Sequence, residues 1–191
     1  MLKDLILKNR SYRRFYQYER ITDVMLLDWV DLARNSASAR NAQCIKYILS
    51  TDETSNAQIF DQLAWAGYLK DWPGPEEGER PSAYVILLLD TLIADNFMCD
   101  DGIASQSILL GATEAGFGGC IIRSVNRKKL GELLDLSDQY EIIQVLALGK
   151  PKEVVVLDVI KDGEIKYWRD ENQVHHVPKR TLDEIILKVL K

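Results

Sequence analysis

Histidine is almost missing from this chain of 191 residues, which has two, His175 and His176, side by side. Adjacent side chains on an extended segment point to opposite faces, so the pair does not suit a single metal, and a surface or interface position is expected for both. A Ser-His or Cys-His nucleophile would have no other imidazole to act as its base. Cysteine is also scarce: Cys44, Cys99 and Cys120 are odd in number and widely spaced. They form neither a disulfide framework nor a C-x-x-C redox or zinc pattern. Free thiols fit a reducing compartment, so a cytoplasmic protein is expected. The longest notable apolar run, AYVILLL at 83–89, is far too short to span a bilayer. The N-terminal MLKDLILKNRSYRRF is too densely charged for the apolar region of a secretory signal. No G-x-G-x-x-G follows a strand, and P-loop, H-E-x-x-H and G-x-S-x-G patterns are absent.

What is present is ordinary for a globular chain, with 47% apolar and 28% charged residues. One domain over 1–191 is expected. The net charge is -5, from 24 basic and 29 acidic residues. That excludes nucleic acid and anionic membranes as main partners, because neutralising many phosphates takes a basic surface. Any anion site must be local and its ligand small.

The patterning mixes helices and strands. Leu2–Lys8 carries a short helical stripe, and Thr22 caps a helix over DVMLLDWVDLAR at 23–34. CIKYILS at 44–50 alternates as a strand, and SNAQIFDQLAWA at 55–66 reads as a helix capped by Thr54 or Ser55. AYVILLLD is a buried strand, and the helix from Asp100 is closed by Gly116. Its small residues suit close packing on another helix. CIIRSV at 120–125 is a short strand, Asn126 caps a helix over RKKLGELLDL, and EIIQVLALG at 141–149 is a buried strand. Asp162-Gly163 marks a hairpin between two alternating runs. Thr181 and Glu184 form a capping box for a last helix running to Lys191. Strands and helices do not alternate as βαβ units. The expected class is α+β, with a mixed or antiparallel central sheet flanked by helices.

Four stretches stand apart. NRSYRRF at 9–15 puts three arginines within five positions; alone it is an ordinary basic surface. SASARNAQ at 36–43 is rich in small residues that let backbone approach a flat ligand, with Ser38 and Asn41 as hydrogen-bonding groups. PKRTLDE sets Lys179 and Arg180 ahead of a helix start, where a phosphate would be favoured. The segment 67–82 holds three of the five prolines and three glycines, with Tyr68, Leu69 and Trp72 needing cover. It is expected to fold back as a lid or pocket wall, with Trp65 beside it. No acid–base pair stands out, so the reactive group of an enzyme built on this chain would be a cofactor.

Taken in order, NRSYRRF, ARNSASARNAQ, DDGIASQSILLGATEAGFGGCIIRSV, IIQVLALGKPKE and HHVPKRTLDEII resemble the nitroreductase family of flavin oxidoreductases. The resemblance runs over nearly the whole chain, and QLAWAGYLKDWPGPEEGERPSAYVILLLD is similar to a short-chain branch typical of anaerobic microbes. It implies a homodimer of α+β subunits with FMN at the interface, no resident metal, and NADH or NADPH as electron donor. The family's R-S-x-R segment matches Arg10, Ser11 and Arg13, which would contact the phosphate, ribityl chain and pyrimidine edge; Arg14 is left to solvent. The S-x-x-N-x-Q segment matches Ser38, Asn41 and Gln43, with Ala39 and Arg40 between, and would come from the second subunit. Backbone near Ile122 and Arg123 would face the flavin N5 edge, and Lys179 and Arg180 would close the phosphate site.

The implied reaction is ping-pong reduction of nitroaromatics or quinones, with Trp65, Tyr68, Leu69 and Trp72 as pocket wall. Other members of the fold dehalogenate, break down flavin or oxidise peptide rings, and a non-enzymatic flavin-binding or sensing module is a further alternative. Two departures are notable. Gln43 is followed by Cys44-Ile45 where many relatives have Pro-Trp, and Arg123 stands where many have a small or acidic residue.

Overall fold

The structure is a computed structural model and describes residues 1–190. Its main sheet is antiparallel throughout and built on β5 (Tyr140–Pro151). One edge of β5 pairs with β3 (Ala83–Asp90), which pairs in turn with β2 (Ile45–Ser50). The other edge takes β4 (Gly118–Ile122), and the two-residue β1 (Phe15–Tyr16) pairs with the end of β5 at Lys150 and Pro151. A second sheet follows: β6 (Val155–Val159) and β7 (Trp168–Arg169) flank β8 (His175–Lys179), β6 in parallel and β7 antiparallel. The expected α+β class with a mixed or antiparallel sheet is what the chain forms.

The apolar run of β3 is buried on both faces, which is why it reads as continuous rather than alternating. Val85, Leu87 and Leu89 join Leu146 and Leu148 beneath α2 (Asp23–Arg34) and α4 (Asp100–Glu114). Tyr84, Ile86 and Leu88 join Val145 and Ala147 on the opposite side, under Ile59 of α3 (Glu53–Phe60) and Leu130 of α5 (Arg127–Leu133). The small residues of α4 do bring helices close. A Cβ on Gly111 would lie 2.7 Å from Leu32 Cδ1 and 2.9 Å from Trp29 Cδ1 of α2.

Local signals set most helix ends. The Thr22 hydroxyl accepts from the Met25 N–H at 3.3 Å, and the Asn126 side chain from the Lys129 N–H at 3.3 Å. Gly116, with φ of +78°, turns the chain out of α4. α1 (Leu2–Lys8) forms as expected.

Four expectations need correction. α3 is capped by Asp52, whose carboxylate accepts from the Ser55 N–H at 2.8 Å, and it stops at Phe60 rather than Ala66. β4 starts two residues early, at Gly118, and ends at Ile122, because Ser124 and Val125 turn to meet Ala64 and Leu63. Asp162 and Gly163 both take positive φ and make the tight turn, closed by the Lys161–Glu164 bridge. Its arms do not zip further, since β8 pairs with β6 instead. The capping box forms, with Glu184 Oε2 accepting from the Thr181 N–H at 2.7 Å, but α6 (Leu182–Ile185) is one turn long. Beyond it Leu187, Val189 and Leu190 are exposed and bury nothing that would hold a longer helix. Lys191, the expected end of that helix, lies outside the described residues.

Candidate functional site

The segment between α1 and β1 runs beside β4. Ser11 bridges Gly119 in parallel, and the Tyr12 N–H donates to the Gly119 carbonyl at 3.1 Å. Gly119 has to be glycine, because a Cβ there would collide with the Ala147 carbonyl of β5. The basic motif and the end of β4 therefore meet at one cleft of about 220 Å³, lined by Arg13, Ala64–Gly67, Cys120–Ser124 and Tyr167.

Arg13 is held on several sides. One guanidinium nitrogen, Nη1, lies 3.2 Å from the Ser11 carbonyl and 3.2 Å from His175 Nε2. The guanidinium also sits over the Tyr167 ring, 4.8 Å from its centre, while Tyr167 packs against His175 at 5.2 Å. The Arg13 N–H donates to Glu153, a buried carboxylate whose other oxygen pairs with Arg169 at 3.0 Å. The second sheet thus folds over the basic motif. His175 is only 1% exposed, so the expected surface position is corrected for this residue. Burial, with Arg13 and Arg169 beside it, pushes its pKa down to about 4, leaving a neutral imidazole as acceptor for Arg13. His176 faces the other way, 2.7 Å from Asp158 and stacked on Trp168. Cys120, at the cleft floor, is buried and its thiol is pushed up to about 12.

The other arginines diverge. Arg10 folds back to the Ile6 carbonyl at 2.7 Å, with its Nε buried and unpartnered. Arg14 is not left to solvent. It grips the buried Glu79, Nη2 to Oε1 at 2.7 Å, and Lys152 reaches the same carboxylate at 2.8 Å.

Ile122 and Arg123 line the same cleft. The Arg123 side chain is drawn to Asp101 and donates to Gln144 Oε1 at 2.9 Å, while Gln144 donates to Ser105 at 2.6 Å. The charge of Arg123 is thereby answered inside the chain.

The second motif lies elsewhere on the same chain. The Ser38 hydroxyl and the Ala39 N–H donate to the buried Asp100 at 2.6 and 2.8 Å, and the Gln43 N–H donates back to Ser38 Oγ at 2.9 Å. Arg40, Asn41 and Gln43 are exposed, with φ of 55°, 54° and 51°. Three left-handed non-glycine residues in four positions make a strained loop, pinned at its base by Asp100. This loop lines clefts separate from that of Arg13.

Lys179 and Arg180 are exposed beyond the cleft lining, and Arg180 is 3.5 Å from Glu184. Of the aromatic wall, Trp65 lines the cleft. Tyr68 packs on the outer side of Tyr167 at 4.9 Å, and Trp72 lies under Arg169 at 4.2 Å among the core residues of α3 and α5. Leu69 is half-buried in the turn between them. Tyr167, Cys120 and His175 stand outside the sequence motifs; His175 is placed by its pairing with Val155 of β6 and Arg169 of β7, and Tyr167 packs against it.

A sequence model of the Nitroreductase family matches residues 82–150, which carry β3, α4, β4 and most of β5. The fold is that of the nitroreductases. A nitroreductase family protein from Streptococcus pneumoniae TIGR4 superposes with a TM-score of 0.69 at 15% identity, covering 99% of this chain and 100% of that one. One from Clostridium novyi NT gives 0.65 at 23% identity, covering 80% and 87%. The NADPH:FMN oxidoreductase from Vibrio harveyi complexed with NAD⁺ gives 0.61 at 22% identity, covering 78% and 68%. The nitroreductase resemblance carried by the motifs is borne out by the family match and the fold. No helix among the described residues is long and apolar enough to cross a membrane.

Proposed function

We propose that this chain is one subunit of a homodimeric, FMN-dependent NAD(P)H oxidoreductase of nitroreductase type. The observation that carries the reading is Arg13, fixed by Ser11, His175 and Tyr167 at a cleft whose wall is the end of β4. The residues fit FMN. Arg10 keeps a buried Nε without a partner, Arg13 presents a cation at the cleft, and Gly119 lets the basic segment lie against β4. When bound, the flavin supplies two-electron transfer between NADH or NADPH and an acceptor such as a nitroaromatic or quinone, the two using the ring in turn.

The chain's part is to bind and tune. Arg13 favours negative charge on the pyrimidine side of the ring, and Arg10, Lys179 and Arg180 favour the phosphate. Backbone at Ile122 and Arg123 flanks the N5 edge, and Trp65 shields the cleft from water. A cleft of about 220 Å³ is below the roughly 300–1,000 Å³ of small-molecule sites, which supports a second wall from a partner. The Ser38–Gln43 loop, whose Arg40, Asn41 and Gln43 side chains are exposed, is that wall in this reading.

Gel filtration with paired absorbance at the protein and flavin bands tests the shared site. A dimer carrying one FMN per chain is expected; a monomer that binds FMN stoichiometrically would contradict the partner's contribution.

A further inference from the structure

His176 ties together every strand of the second sheet. It stands on β8 opposite Val156 of β6 and Trp168 of β7. Its Nδ1 lies 2.7 Å from an oxygen of Asp158 on β6, and its Nε2 lies 3.5 Å from an oxygen of Asp170, which opens the turn between β7 and β8. Its ring stacks on the Trp168 indole, centres 4.1 Å apart and planes 9° off parallel.

All three contacts favour a cation. A neutral imidazole has one N–H, so it can donate to only one of the two carboxylates and turns a lone pair on the other. An imidazolium donates to both, and the face of an indole attracts it. Asp170 is held in place, because its second oxygen accepts from the Asn172 and Val174 N–H groups at 2.9 and 2.8 Å. Asp158 and Asp170 are the ion-pair partners of His176, while Arg169 beside Asp170 is taken by Glu153 and the adjoining His175 is neutral. Against the opposing effect of burial, the bonds to Asp158 and Asp170 raise the His176 pKa above its ordinary 6.5.

The sheet that these contacts hold is small. It has three strands, of which β7 contributes two residues, so its ladder alone is a marginal structure. Yet it is the sheet that sets His175 and Tyr167 against Arg13.

We propose that His176 is a proton-operated latch: as an imidazolium it clamps β6, β7 and the turn before β8 together over Arg13, and on losing its proton it releases them. A raised imidazole contributes stability that is complete below 6.5 and is lost as pH rises through the folded value. His175, the neutral acceptor of Arg13, has the opposite requirement. The adjacent pair therefore confines the closed sheet to a pH window, with His175 setting its acid side and His176 its alkaline side.

Two readouts on the full chain test the latch, and neither needs FMN, so its failure and that of the proposed function are distinguishable. A stacked imidazolium quenches indole emission, so tryptophan fluorescence should rise with pH at a midpoint above 6.5. That step should vanish in Trp168→Phe and move to lower pH in Asp158→Asn. Hydrogen exchange, corrected for its intrinsic pH dependence, should quicken about threefold between about pH 6 and about pH 9 in peptides of β6 and β8, and stay constant in β5. His176→Gln should exchange at the faster rate at both pH values. A midpoint at or below 6.5, exchange in β6 and β8 that ignores pH or changes equally in β5, or a His176→Gln variant that keeps the parent's step would overturn the latch. Where a variant fails to fold, the two readouts on the parent decide.

Discussion

The Arg13 guanidinium lies 3.2 Å from the ring nitrogen Nε2 of His175, although 162 positions of chain separate them. A cation beside an imidazole is tolerable only if the imidazole is neutral. Burial and the charges of Arg13, Arg169 and His176 enforce that by holding His175 near 4. His175 is thus a positioning residue for Arg13, supplied by the second sheet.

His175→Phe keeps a ring beside Tyr167 and removes the acceptor. In the proposed function, the FMN dissociation constant should rise about tenfold, or about 1.4 kcal/mol, close to what a hydrogen bond to a charged group contributes. The pH profile adds a readout that packing alone would not move. The folded imidazole is depressed, so the unfolded chain takes up its proton first, near 6.5. Stability should fall as pH drops from there toward about 4, and the non-ionising His175→Gln should flatten that stretch. Unchanged affinity in the first variant and an unchanged acid slope in the second would contradict the role.

Glu79 should be the protein's main acid-sensitive strut. Arg14 holds its carboxyl down to about 2 against the opposing effect of burial, with Lys152 adding to the pull. A depressed carboxylate contributes stability that is complete above the unfolded value, about 4.3, and is lost as pH falls through about 2. Glu79→Gln should cost about 1–3 kcal/mol at pH 7 in denaturant titrations, because two partly exposed cations lose their partner. It should also remove that stretch of the acid limb. A variant with the parent's acid limb would show that the carboxylate is not what ties the basic segment to the 67–82 segment.

Asp100 should govern the loop of the second motif without governing the fold. Asp100→Ala deprives Ser38 and Ala39 of their anchor, while Arg40, Asn41 and Gln43 stay in strained backbone. Local opening should become easier, and limited trypsin cleavage after Arg40 should speed up on the order of tenfold at a nearly constant thermal midpoint. A cleavage rate equal to the parent's would mean that the loop holds itself.

Most of this architecture was legible because its determinants are local. The apolar length of β3, the Thr22 and Asn126 caps, Gly116 and the Thr181–Glu184 box each act within a few residues of where they stand. Asp52 was overlooked because Thr54 and Ser55 are equally good caps, and only the 2.8 Å bond to Ser55 decides between them. The features that failed to show are long-range. Arg14 reads as a third surface cation until Glu79 arrives from 65 residues away. The turn at Asp162-Gly163 reads as a hairpin until β8 takes the pairing edge of β6. The same holds for the site: Arg13, Ile122 and Arg123 follow from their motifs, whereas His175 reaches it through strand pairing that no local pattern encodes, with Tyr167 packed against it.

In the proposed function the cation at the Arg13 cleft serves a flavin that exchanges electrons with NAD(P)H. The most direct measurement is the absorbance spectrum of the FMN-reconstituted protein, followed by anaerobic addition of NADH or NADPH and then a quinone or nitroaromatic. A flavin band that bleaches with the donor and returns with the acceptor, and that is lost or greatly weakened in Arg13→Ala, is the expected result. A protein that takes up no FMN on reconstitution, or whose flavin stays oxidised with both donors, would contradict that function.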